Sequence, residues 1–187
     1  MIKIQDSLKD SLERINIIYQ NNEISATCIK DHKEFSILNK TIGPFKKGKN
    51  YRLKFFVAAP LLKHNILKIN TKEKCDNIDV QRYAVNELND QQLKIPEGKF
   101  FLNKIKEFKV FTEKEVNEGN KPKLMLDNYI SYMSNLIDIR LLKLLKLAKT
   151  EITPNEERKL TESERFIVKK ISRLLKSWRS FFLNNEK

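Results

Sequence analysis

Apolar residues recur along this chain with two different periods, and the change between them divides it. Over the first twenty residues Ile4, Leu8, Leu12, Ile15 and Tyr19 are spaced by three and four, which predicts an amphipathic helix ending near Gln20, where Asn21 and Asn22 stop it. From Glu23 the segments become short. ISATCI and EFSIL are β-branched or aromatic and are separated by the polar turn KDHK, so the pattern predicts two small strands joined as a hairpin. In TIGPFKKGKNYRL, Gly43 can supply positive φ, Pro44 fixes its own φ, and Gly48 with Asn50 turns the chain into a further strand near Tyr51 to Lys54. Eight apolar residues, FFVAAPLL, follow this basic turn directly.

After Ile69 the period is helical almost to the end. Val80, Tyr83, Ala84, Glu87 and Leu88 predict one helix, and IPEGKFFLNKIKEFKVF predicts a second that begins after Pro96. Gly119 and Pro122 break the pattern in VNEGNKPK. The longest element follows from Leu126. Tyr129, Ile130, Met133, Leu136, Ile137, Leu141, Leu144, Leu145 and Ala148 form its stripe, and Leu142 and Leu147 widen it beyond one ordinary face. Such a helix needs cover on more than one side, with Leu142 and Leu147 expected to face a partner. Thr153, Pro154 and Glu156 then mark the start of a short helix, and Thr161 with Glu164 forms a capping box for a last long one. In that helix Ile167, Ile171, Leu174, Trp178 and Phe181 share one side, and Arg165, Lys169, Arg173, Lys176 and Arg179 line the other. The predicted fold class is α+β, mainly α with a small β-rich N-terminal module. Its parts are a helix over 1–22, the module over 23–70 and a helical bundle domain over 71–187.

Charge adds a partner class to this picture. Lys and Arg number 37 against 24 Asp and Glu, a net charge of +13, which attracts polyanions. No acidic residue falls between Phe35 and Thr71. Lys46, Lys47, Lys49, Arg52 and Lys54 therefore predict a basic patch, either a solvated lysine-rich surface or a nucleic-acid contact. No run of eighteen apolar residues is present and the first turn mixes in charge, so the expectation is an intracellular protein with neither a membrane span nor a signal peptide.

Candidate chemistry is sparse. Cys28 and Cys75 are far apart and read as buried small hydrophobes. The four glycines, at 43, 48, 98 and 119, assemble neither a phosphate-binding loop nor a dinucleotide fingerprint. His32 and His64 lack companions at ligand spacing, and Glu113, Glu115 and Glu118 are expected in a polar loop rather than on a rigid element. The expectation is a protein that is not an enzyme and uses no metal or cofactor.

Three segments, in order, resemble one family. TIGPFKKGKNYRLKFFVAA with a following Leu-Lys looks like the small β-rich module of subunits of the GINS DNA replication complex, in which a GPF turn leads into an apolar segment that opens a helix. LNDQQLKIPEGKFFLNKIKEF resembles the segment in which a Pro precedes an aromatic-rich helix. YISYMSNLIDIRLLKLLKLA is similar to the long GINS helix with its L-x-D-x-R-x-x-K-L pattern, here Leu136, Asp138, Arg140, Lys143 and Leu144. LTESERFIVKKISRLL fits the helix after it. The resemblance spans residues 23 to 182. The order, module first, is that of the second- and third-subunit types, and the GPF turn points to the second. The family's Pro-Leu-Trp-Leu-Ala is replaced here by Phe55 to Ala59, with Pro60 downstream.

The resemblance implies a non-catalytic scaffold at the replication fork, in a heterotetramer with the subunit type whose helical domain comes first. It implies the MCM helicase and a RecJ-family relative as partners, primase as a further one, and DNA contact as secondary. Tyr129, Met133, Leu136, Arg140, Leu141, Leu142, Leu144, Leu147 and Trp178 are the expected subunit-interface residues, with Arg140 at the edge paired to a carboxylate. The competing expectation is a stand-alone basic helical DNA-binding protein.

Overall fold

The computed structural model describes residues 2–37, 39–70 and 73–183, with side chains described from Ser7 onward. It divides into two units, Met1–Lys74 and Cys75–Lys187. The fold is α+β: a small antiparallel sheet lies in the first unit and the second is helical. The N-terminal helix belongs to the first unit together with the sheet.

That unit begins with α1, Ile2–Gln20. Tyr19 is buried, and Leu8, Leu12 and Ile15 are half-buried on the same side, as their spacing requires. The expectation for Ile4 lies outside the described side chains. β1, Glu23–Cys28, is the central strand. It pairs antiparallel with β4, Asn50–Lys54, from Glu23 opposite Lys54 to Thr27 opposite Asn50. On its other side it pairs with β5, Leu67–Ile69, with Ala26 opposite Ile69. The expected hairpin between ISATCI and EFSIL does not form. β2, Phe35–Ile37, pairs instead with β3, Lys40–Ile42, because Asn39 at φ +61° supplies the left-handed residue that a tight turn demands.

The Gly-Pro-Phe turn is an anchor for this unit. Phe45 is buried and exchanges two backbone hydrogen bonds with His32, of 2.9 and 3.0 Å. Its ring meets Phe35, Tyr51 and the His32 imidazole. Gly43 sits at φ +106°, and a Cβ there would lie 3.0 Å from the Glu34 Cα, so only glycine fits without a shift of the backbone. The apolar run after the turn is α2, Phe55–Lys63. It buries Phe55, Val57, Ala58, Leu61 and Leu62, and it packs on all three strands of the sheet. Ile24, Ala26 and Cys28, alternate residues of β1, are buried as well. A basic turn followed by an apolar run is thus a surface reversal followed by the helix that covers the sheet.

The second unit comprises α3, Asn77–Leu88; α4, Phe101–Asn117; α5, Lys123–Leu147; α6, Pro154–Glu157; and α7, Glu162–Leu183. Asp76 caps α3 in a capping box with Asp79. α4 begins at Phe101, five residues past Pro96, and its last turns include Glu113 and Glu115. These carboxylates are therefore on a helix and not in a loop; Glu113 pairs with Lys109 at 3.1 Å and Glu118 with Lys114 at 3.5 Å. α5 packs against α3, α4 and α7. Both cysteines are buried, and burial above all pushes the Cys75 thiol up to about 12.

Candidate assembly surface

α5 is apolar over more than one face, and the two faces have different surroundings. Tyr129, Leu136, Arg140 and Leu144 are buried, and Met133 and Leu147 are half-buried. The Tyr129 hydroxyl donates to the Ile105 carbonyl of α4 at 2.8 Å. Leu144 joins Leu93, Ala148, Leu160 and Val168 in a core cluster, against which Leu147, Ile152, Ile171 and Leu175 pack. Two expectations are corrected here. Tyr129, Leu136, Arg140 and Leu144, expected at a subunit interface, are buried in the interior of their own unit. Leu147, expected to face a partner, covers its own core instead.

The other face is solvated. Leu142 is 63% exposed, and Ile130, Ile137, Leu141 and Leu145 are each about two-fifths exposed, at 42, 38, 39 and 39%. Leu141 and Leu145 belong to the expected stripe, but the core occupies only a narrow arc of the helix and they fall just outside it. Trp178, on α7, is 64% exposed.

Arg140 is paired to carboxylates, as expected, but in the interior and to two of them. Its Nε donates to Glu164 Oε1 at 2.6 Å, and Nη2 donates to Glu164 Oε2 at 2.9 Å, a bidentate pair. Nη1 donates to Glu87 Oε2 at 2.7 Å and to the Lys94 carbonyl at 3.2 Å, and Nη2 also reaches the Lys159 carbonyl at 3.0 Å. These five hydrogen bonds match the five donors of a guanidinium. Lys143, one turn on, donates through Nζ to Glu87 Oε1 at 2.6 Å, the Glu87 carbonyl at 2.6 Å and the Gln92 carbonyl at 2.9 Å. Arg140 and both glutamates are 2–3% exposed. The carboxylates hold the guanidinium above its ordinary range, although burial alone acts in the opposite direction.

The local sequence explains why these groups meet. Arg140 and Lys143 are three apart and so adjoin on one side of α5. Glu164 is the third residue past Thr161, and its Oε2 accepts from the Thr161 backbone N–H at 2.8 Å and the hydroxyl at 2.9 Å. One carboxylate therefore caps α7 and clamps α5. With its donors and carboxylates mutually engaged, the cluster ties α3, α5 and α7 together and presents no free base to a substrate.

The basic patch is exposed throughout: Lys46, Lys47 and Lys49 lie in the turn before β4, and Arg52 and Lys54 on one side of β4. The gap in acidic residues is local to the sequence and not to the surface. Glu23 of β1 lies opposite and its Oε2 is 2.9 Å from Arg52 Nε, while Asp31 Oδ1 accepts from the Lys47 backbone N–H at 2.6 Å. Among the described residues no group of three His, Cys, Asp or Glu is placed to hold a metal ion, and no helix is long and apolar enough to cross a membrane. No protein-family profile matches the chain, and a search of curated proteins finds no match.

Proposed function

We propose that the chain is a non-catalytic scaffold subunit of a GINS-type complex, joining a helicase of the MCM type to a RecJ-like partner at the replication fork. The observation that carries this reading is the exposed apolar flank of α5, with Leu142 at 63% exposure and Leu141 and Leu145 beside it at 39% each. Contiguous apolar surface of this kind marks an interaction site. The resemblance supports the identity of the complex. Within L-x-D-x-R-x-x-K-L, Leu136, Arg140, Lys143 and Leu144 are the residues that lock α5 to its neighbours, so the motif holds the helix while its opposite face stays open to a second subunit. Partners are the subunit whose helical domain comes first, the MCM helicase, the RecJ-like protein and primase; DNA contact is secondary.

The test is light scattering of the chain alone and with the helical-domain-first subunit, wild type and as Leu141→Asp/Leu142→Asp. A heterotetramer that the double variant abolishes, while the variant keeps its helical circular dichroism, is the expected result. Native assembly of the double variant overturns the reading. A salt series separates the stand-alone DNA-binding alternative: affinity resting on several phosphate contacts falls by about a thousandfold or more between low and moderate salt, whereas apolar assembly barely responds.

A further inference from the structure

The first unit holds most of the chain's surplus charge. Residues 23–74 contain twelve Lys and Arg against four Asp and Glu, so +8 of the net +13 falls there. α2 covers one face of the three-stranded sheet and touches all three strands, and the register shows what stands on the other. Directly paired residues point to the same side. Lys54 stands beside Glu23, Arg52 beside Ser25, and Thr27 between Asn50 and Lys68. Tyr51 and Leu53, one residue out of step, point to the covered side. The open face is therefore cationic and hydrogen-bonding, with no aromatic or large aliphatic side chain at those positions. Glu23 answers Arg52 at 2.9 Å, but Lys54 Nζ reaches the neutral Asn21 Oδ1, at 3.4 Å. Ser25, Thr27, Asn50, Lys68 and Asn70 also line a cleft on this side, with Glu73 as its acid and Ile29 and Ile69 as its apolar members. The Asn50 and Asn70 amide oxygens both lie 2.6 Å from the Thr27 hydroxyl, which turns their N–H donors away from it.

We propose that this open sheet face is a binding surface for the phosphate backbone of duplex DNA, centred on Arg52, Lys54 and Lys68. Composition selects the occupant. The hot spot of a protein interface, or an anchor inserting into lipid, asks for clustered aromatic and large apolar side chains. The paired positions supply none, and the cleft supplies two isoleucines. A single strand binds by stacking its bases on aromatic rings, which these positions do not offer either. Cations with amide and hydroxyl donors are what phosphate contacts use, and such contacts carry no sequence information. The +8 of the surrounding segment adds long-range attraction. The inference deepens the scaffold reading, in which DNA contact is secondary, by giving that contact a surface in the first unit.

The test is fluorescence anisotropy of a labelled DNA duplex titrated with the full chain over a salt series. Two unrelated duplexes should bind equally within about twofold, and log K should fall against log salt with a slope of about −0.9 for each phosphate contacted. Arg52→Ser/Lys54→Ser/Lys68→Ser should weaken binding about tenfold or more and flatten the slope by about 3. Lys54→Ser/Lys68→Ser, which keeps the Arg52–Glu23 pair, should flatten it by about 2, so the outcome does not hang on the fold of the triple variant. Lys169→Ser/Arg173→Ser/Lys176→Ser removes the same charge from exposed positions of α7 and should leave affinity within about twofold. A single strand of the same length and vesicles of phosphatidylcholine and phosphatidylserine are the competing ligands. No binding, an equal loss in both triple variants, or tighter binding to the single strand or the vesicles than to the duplex overturns the proposal. The chain is assayed alone, so failure to assemble with a helical-domain-first subunit would sink the scaffold reading and leave this result standing.

Discussion

Leu136 and Leu144 on one side of α5, and Leu141, Leu142 and Leu145 on the other, are the same residue type in the same helix, yet the first pair is 1 and 3% exposed and the others 39 to 63%. The inner face is also where the helix spends its charge. Arg140 lies between Leu136 and Leu144 and is matched by Glu87 and Glu164, while Leu141, Leu142 and Leu145 fall outside the arc that the core covers. Hydrophobicity alone therefore does not say which side of a helix is the core. The side that carries a saturated ion cluster is committed to the chain's own fold, because a buried cation is tolerated only where its partners are already fixed. The side whose leucines have no buried ion cluster beside them is free to choose a partner.

The sharpest way to break this comparison is to remove the cation. Arg140→Met leaves Glu87 and Glu164 buried without it, and breaking one side of such a pair costs about 3–5 kcal/mol, a large part of the 5–15 kcal/mol that holds an ordinary domain together. Urea denaturation of the full chain should show the midpoint collapse. A loss under about 1 kcal/mol would mean that the inner face is not defined by its ion cluster.

Truncation of a neighbouring leucine tests the apolar part of the same face. Leu144→Ala removes a buried side chain from the cluster with Leu93, Leu160 and Val168, and should cost about 2–5 kcal/mol. Lys143→Met comes next. Lys143 is 11% exposed and supplies one of the two cations on Glu87, but Arg140 remains when it is lost. The expected cost is about 1.5–3 kcal/mol, the scale of a hydrogen bond to a charged group, read from the same denaturation curves.

Much of this architecture was legible in the sequence because it depends on local spacing. The capping boxes at Thr153 and Thr161 and the long helix are set by residues three or four apart, which interact within one turn. The pairing of β1 with β4 and β5 was not legible. Nothing near ISATCI says that its partner strands begin 27 and 44 residues past Glu23, at Asn50 and Leu67, and the polar KDHK turn suggested the adjacent strand instead. The candidate surface was legible in kind and misread in detail. The excess of leucine on α5 was visible, but the choice between Leu145 and Leu147 depends on where Leu160 and Ile171 come to rest. Arg140 could be seen as a paired residue. Its partner Glu164 was already accounted for as a helix cap, and that double role was the signal available for its burial. The basic patch shows the same limit, since Glu23 reaches Arg52 only through the register of β1 on β4.

The smallest effect on folding is expected on the outer face, at Leu142. Its side chain is 63% exposed, so replacing it removes little buried area, and at about 25 cal/mol per Å² the transfer contribution is correspondingly small. Aspartate is a poorer helix former than leucine by about 0.5 kcal/mol. A carboxylate at position 142 also lies four residues before Lys146, an orientation that returns about 0.3–0.5 kcal/mol on a helix surface. Asp138, four residues earlier, sets a like charge against it that costs a similar amount, so the charge terms nearly cancel and Leu142→Asp should lower the unfolding free energy by no more than about 1 kcal/mol. The same change at Leu144 would place a carboxylate in the core and should prevent folding. Thermal unfolding followed by circular dichroism distinguishes these outcomes. A Leu142→Asp chain as unstable as the Leu144 variant would show that the outer face is covered by the chain itself, and the distinction between the two sides of α5 would fail.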